Sequence, residues 1–112
     1  LLCSGRRDRV EIIAAIIAMT REPSKITRIM YQVHLSYPAL KEYMKIMIRF
    51  RLIERHNEAE DAEKISGVWQ ATKKGLDFLK IYCELLRLMY GEDYLNIDHN
   101  LAVACLQFCK EV

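Results

Sequence analysis

Only four glycines stand in the 112 residues, and nowhere do they gather into a glycine-rich loop that could cradle a phosphate. The four cysteines, Cys3, Cys83, Cys105 and Cys109, make no CxxC pair, and no histidine stands at zinc-ligand spacing from them. His34, His56 and His99 are scattered, and neither a nucleophile–base pair nor a pair of catalytic carboxylates is present. These absences point away from an enzyme and from a bound cofactor or metal. No apolar run reaches the ~20 residues that a membrane helix needs. The longest, Ile12 to Met19, is too short. The opening LLCSGRRDR carries no initiator Met, so the natural N-terminus lies elsewhere or is altered, and the stretch is given no targeting role.

What is present suffices for one domain, or one domain with an appendage. Hydrophobic residues make up 52% of the chain. They can fill a modest core that buries roughly two thirds of the unfolded surface. The net charge of +2 is small, but it is unevenly spread. Residues 24 to 56 carry Lys25, Arg28, Lys41, Lys45, Arg49, Arg51 and Arg55 against Glu42 and Glu54, a net +5. Residues 57 to 71 carry Lys64 against Glu58, Glu60, Asp61 and Glu63, a net −3. Positive charge concentrated on one stretch is the footprint of a polyanion-binding face.

That stretch has its own pattern. Ile29, Met30 and Val33 repeat at helical spacing, and His34-Leu35-Ser36 breaks the run. Ser36 is placed to cap a second helix and Pro38 fits its first turn, where a missing N–H costs little. From Tyr37 to about Phe50, Leu40, Met44, Met47 and Ile48 form an apolar face. Tyr37, Lys41, Lys45 and Arg49 fall on another. Two helices joined by a tight turn, the second bearing cations on its outer side, is the helix-turn-helix arrangement.

The flanks extend it. Residues 6 to 19 read as a helix started by Asp8, with Val10, Ile13, Ala14 and Ile17 inward and Ile12 and Ile16 widening the apolar face. Arg6, Arg7 and Arg9 at its start either reach phosphates or form a solvated helix end. Ser24-Lys25-Ile26 reads as a minimal strand, and Thr27 as the cap of a helix from Arg28 to Val33. Leu52 to His56 and Val68 to Ala71 read as two strands joined by an acidic connector. Thr72 then caps a long helix from Lys73 to about Tyr90, ended by Gly91. Asn100 is placed to cap a last helix, Leu101 to Lys110.

The expected fold is therefore mainly α with a small β-hairpin: a winged helix-turn-helix over residues 6 to 72, followed by a helical segment, 73 to 112. That segment holds the long helix and a short extra terminal one. The segments RRDRVEII, KITRIMYQVHLSYPALKEYM, RLIE and WQATKKGLDFL resemble the archaeal ArnR-like winged-helix family over residues 6 to about 90. The turn Thr72-Lys73-Lys74-Gly75 is shared more widely among winged helices. The resemblance implies a transcriptional regulator or chromosomal DNA-binding protein, dimeric through an antiparallel coiled coil of its C-terminal helix. The extra segment after Gly91 departs from that pattern.

The residues assigned to double-stranded DNA are Ser36, Tyr37 and Lys41 at the start of the recognition helix, then Lys45 and Arg49. Lys25 and Arg28 lie on flanking phosphates, with Arg55 and Lys64 near the wing. The acids of the wing point it away from DNA. Leu76, Leu79, Cys83, Leu86 and Tyr90, spaced three, four, three and four, are assigned as the dimer seam, with Phe78, Tyr82, Leu85 and Met89 a second apolar line. Trp69, Tyr31 and Tyr43 read as packing residues. Cys83, Cys105 and Cys109 read as small buried hydrophobes in a reducing cytoplasm. A disulfide or metal site at Cys105 and Cys109 is the alternative, and with it a redox sensor. The other function class is a protein-interaction module in which the basic helix meets an acidic partner. The expected location is the cytoplasm, with the nucleoid.

Overall fold

The computed structural model describes residues 8–56 and 65–91. Arg6 and Arg7, the wing residues Glu58, Glu60, Asp61, Glu63 and Lys64, the expected helix Leu101 to Lys110, and Cys3, Cys105 and Cys109 lie outside them.

Helix α1 (Arg9–Met19) starts where Asp8 accepts a hydrogen bond from the Glu11 amide at 2.7 Å. The helix is buried on nearly every side, Ile12 and Ala14 through Ala18 included. Val10, expected inward, is exposed and Ile13 only half-buried. The reason is that α1 is packed between two helices described below, so its Ile12 and Ile16 side is the centre of the core and Val10 lies at the open end. Thr20 closes it. Its hydroxyl donates to the Ile16 carbonyl at 2.9 Å, and its own carbonyl accepts the Ala71 amide at 2.7 Å.

Strand β1 (Ser24–Lys25) leads directly into helix α2 (Ile26–Val33). The expected Thr27 cap is not used: the helix begins at Ile26, and Lys25 at the cap position makes no side-chain cap bond. The Ile26 amide, one of the free donors of the first turn, goes to the Gly67 carbonyl at 3.2 Å, so strand pairing fixes the start of the helix. His34 ends α2 in the left-handed region, with φ of 60°.

Helix α3 (Tyr37–Arg49) follows the turn, with Pro38 in its first turn. Leu40, Met44 and Met47 are buried, whereas Ile48, expected beside them, is exposed. Strands β2 (Ile53–Arg55) and β3 (Val68–Ala71) pair antiparallel, Ile53 opposite Ala71 and Arg55 opposite Trp69. Strand β1 pairs with the other edge of β3, giving the order β1-β3-β2. Trp69 is buried as expected and donates its indole N–H to the Ile65 carbonyl at 2.7 Å.

Helix α4 (Lys73–Tyr90) packs across α1, while α2 packs on another side of α1. Leu79, Cys83 and Leu86 are each at most 2% exposed, so the line assigned to a partner subunit is filled by the domain's own α1. Leu76 and Tyr90 at its ends are half-buried against the same core. The outer side of α4 bears the exposed apolar residues instead: Ile81 at 65%, Leu85 at 48%, Leu88 at 86% and Met89 at 60%. Cys83 is buried as expected and is disulfide-bonded, which corrects the reading of a free thiol.

Candidate nucleic-acid interface

The geometry of α3 follows from its two ends. At the start, the Ser36 hydroxyl accepts the Ala39 amide at 3.3 Å, and the Leu40 amide reaches the Ser36 carbonyl at 2.9 Å. With Leu40, Met44 and Met47 fixed in the core, the opposite side must face solvent. Lys45 and Arg49 are exposed there, with Lys41 half-buried on the flank. Ser36 and Tyr37, at the exposed N-terminal end, complete the part of the predicted set that the helix brings together.

The far end of α3 is clamped by the start of α4. The Thr72 hydroxyl accepts the Gly75 amide at 3.1 Å, capping α4, and donates to the Arg51 carbonyl at 2.6 Å. The Thr72 amide donates to the Leu52 carbonyl at 3.0 Å. The Lys74 ammonium donates to the Phe50 carbonyl at 2.8 Å. Arg51 sits between them with φ of 59°. A Cβ on Gly75 would collide with the Leu52 carbonyl oxygen. Gly75 is therefore required by close approach of two backbones. The Thr72-Lys73-Lys74-Gly75 turn thus holds the last turn of α3 against the root of the wing.

The remaining predicted residues lie apart from the α3 stripe. Lys25 and Arg28 are exposed on β1 and α2. Arg55 is half-buried on β2, with its guanidinium 5.0 Å from the centre of the Trp69 ring, a cation–π contact. Tyr31, expected to pack, is exposed on α2; Tyr43 is half-buried as a packing residue with a polar tip.

Glu42 was missed, and the sequence leaves Arg9 between a phosphate contact and a solvated helix end. Glu42 stands among the cations of α3, its carboxylate 3.5 Å from the Lys45 ammonium, with both side chains exposed. Arg9, at the start of α1, lines with it a cavity of about 290 Å³, together with Ala39, Tyr43 and Ile46. Counting charge on α3 alone gives Glu42 no position. Only helical phase relative to Leu40 and Met44 does, and that signal was present in the sequence. The approach of Arg9 is tertiary and was not.

Among the described residues, no three metal-ligating side chains come together. Among them, too, no helix is long and apolar enough to cross a membrane. The sequence pattern of a family described as winged helix-turn-helix matches residues 6–90. No curated protein and no solved structure matches the chain.

Proposed function

The chain belongs to the winged helix-turn-helix family, and from that premise we propose that it is a double-stranded DNA-binding transcriptional regulator or chromosomal protein. Domains of this family are typically non-enzymatic DNA binders. The observation that carries the reading is the stripe of Lys41, Lys45 and Arg49 on the outer side of a helix secured at both ends. A rigid helix of this size fits the major groove. Its N-terminal residues Ser36 and Tyr37 meet base edges and phosphates, the three cations address the backbone, and Lys25 and Arg28 reach flanking phosphates. Arg55, stacked on Trp69, sits at the wing root, where an adjacent phosphate is the contact assigned to it.

The finer assignment is a homodimer. Phe78, Ile81, Leu85 and Leu88 are spaced three, four and three along α4, and the last three are exposed. This is a coiled-coil seam. Asp77 and Glu84 beside it, with Lys80 and Arg87 further round, supply both signs of charge to a second copy running antiparallel. The residues 6–72 then form the DNA-binding unit, and the part from Lys73 onward pairs two of them. Among winged helices, the archaeal ArnR-like group is the one we assign on the segments quoted above, with a place at the nucleoid in the cytoplasm.

The test is selection of bound duplexes from a random pool, followed by titration at several salt concentrations. Affinity should fall steeply with salt, each phosphate contact adding about one unit of slope. An enriched palindrome would report a symmetric dimer. Lys41→Glu/Lys45→Glu should remove two contacts, reduce the slope by about two and weaken binding by tenfold or more. Equal binding by that variant would end the assignment of α3 as the recognition helix.

A further inference from the structure

We infer that Glu42 reads a cytosine in the major groove and that Ala39, Glu42 and Ile46 form the base-reading line of α3. The inference rests on the DNA-binding reading above and adds to it the source of sequence preference.

Residues 39, 42 and 46 are three and four apart, so they lie along one line of the helix. Glu42 is opposite the buried Leu40, Met44 and Met47, and Ala39 and Ile46 lie on the flank that lines a cavity with Arg9 and Tyr43. Glu42 is the only acid on α3, with its side chain 71% exposed, and Ala39 and Ile46 are half-buried on either side of it. A carboxylate in that place is repelled by every phosphate it approaches. The partner that suits it in the groove is an amino group. Of the major-groove edges, cytosine N4 and adenine N6 offer donors, and Glu is matched to cytosine N4, the amide side chains being matched to adenine. The methyl groups of Ala39 and Ile46 have the complementary use, contact with the C5-methyl of thymine.

Lys45 explains how the acid is tolerated. In the free protein its ammonium is 3.5 Å from the Glu42 carboxylate, which offsets the local negative charge. On DNA the ammonium turns to a phosphate, and the carboxylate exchanges it for the N4 amino group. At a site lacking cytosine there, Glu42 loses Lys45 to the backbone and gains no donor. The acid therefore penalises wrong sites as well as rewarding the right one.

The experiment compares the full chain with Glu42→Gln by selection from a random duplex pool and by affinity for an unselected duplex. Circular dichroism checks that the exposed substitution leaves the fold intact. The parent should enrich a cytosine at one position of each half-site by roughly tenfold over other bases, the discrimination of one good base contact. In Glu42→Gln that position should lose its cytosine preference or turn to adenine, and affinity for the unselected duplex should rise several-fold. Duplex binding by both proteins with the same enriched sequence overturns the role of Glu42 and leaves the DNA-binding reading standing. No duplex affinity in the parent overturns both.

Discussion

Helices α3 and α4 begin alike and differ in what they show to the outside. Each is started by a hydroxyl that accepts an amide three residues on, Ser36 for α3 and Thr72 for α4. Each commits one side to the same core, Leu40, Met44 and Met47 from α3 and Leu79, Cys83 and Leu86 from α4. Beyond the core they diverge. The outer side of α3 carries Lys45, Arg49 and Glu42; that of α4 carries Ile81, Leu85 and Leu88. The first is suited to a polyanion and the second to an apolar partner. Burial in the core explains the fold, and the unburied side of each helix is where the two functions separate.

The largest effect should come from setting the two sides of α4 against each other. Leu79→Ala removes a fully buried side chain and should cost about 3 kcal/mol of unfolding free energy, read by chemical denaturation. Leu85→Glu/Leu88→Glu should keep the domain folded, with its stability at low protein concentration changed by about 0.5 kcal/mol or less per site. Its mass by light scattering should fall to that of one chain. A double variant that unfolds would place those leucines in the fold, and one that keeps twice the monomer mass would remove the seam.

Gly75→Ala comes next, because it strikes the point where α4 grips α3. The new methyl must displace the Leu52 backbone or the start of α4. Overpacking of this kind costs roughly 2–3 kcal/mol. At such a joint the loss should be accompanied by weaker duplex binding in the fraction that remains folded, since Leu52 is three residues beyond the end of α3. Wild-type stability would mean that the two backbones have room to separate.

What was legible in the chain was local. Asp8, Ser36 and Thr72 announced helix starts through their own chemistry, and Gly91 announced an end. The period of Ile29 and Val33, then of Leu40, Met44 and Met47, gave α2 and α3. The order of these elements gave the winged arrangement. What was not legible depended on neighbours distant in the chain. Thr27 was a sound local cap, but the pairing of β1 and β3 brings the Gly67 carbonyl to the Ile26 amide, and the helix starts at Ile26 ahead of it. The need for Gly75 was not legible because the Leu52 carbonyl that requires it is 23 positions away. Two apolar lines on α4 were visible, but the core takes the first together with Tyr82 and part of Phe78 from the second, and the exposed side runs through Ile81 and Leu88, which stood on neither. Periodicity tells how many faces a helix must bury and leaves open what buries them. In the interface the cations of α3 were legible by count and spacing, while Glu42 had to be placed by phase, and Arg9 by the packing of α1.

The smallest difference separates the two caps. Ser36 lies in the exposed turn, its bond to the Ala39 amide is long at 3.3 Å, and water can replace it. Ser36→Ala should cost about 0.5 kcal/mol. Thr72 does more than cap, since its hydroxyl both accepts from Gly75 and donates to the Arg51 carbonyl at 2.6 Å. Thr72→Ala loses a cap and a tertiary hydrogen bond together and should cost about 1.5–2 kcal/mol. Amide hydrogen exchange gives the finer reading. Ser36→Ala should loosen the first turn of α3 alone, Ala39 and Leu40. Thr72→Ala should loosen the amides of Thr72 and Gly75 and, across the clamp, that of Leu52. Equal costs for the two variants, or faster exchange confined to the first turn of α4, would show that Thr72 is only a cap and that α3 is held by its core contacts without help from α4.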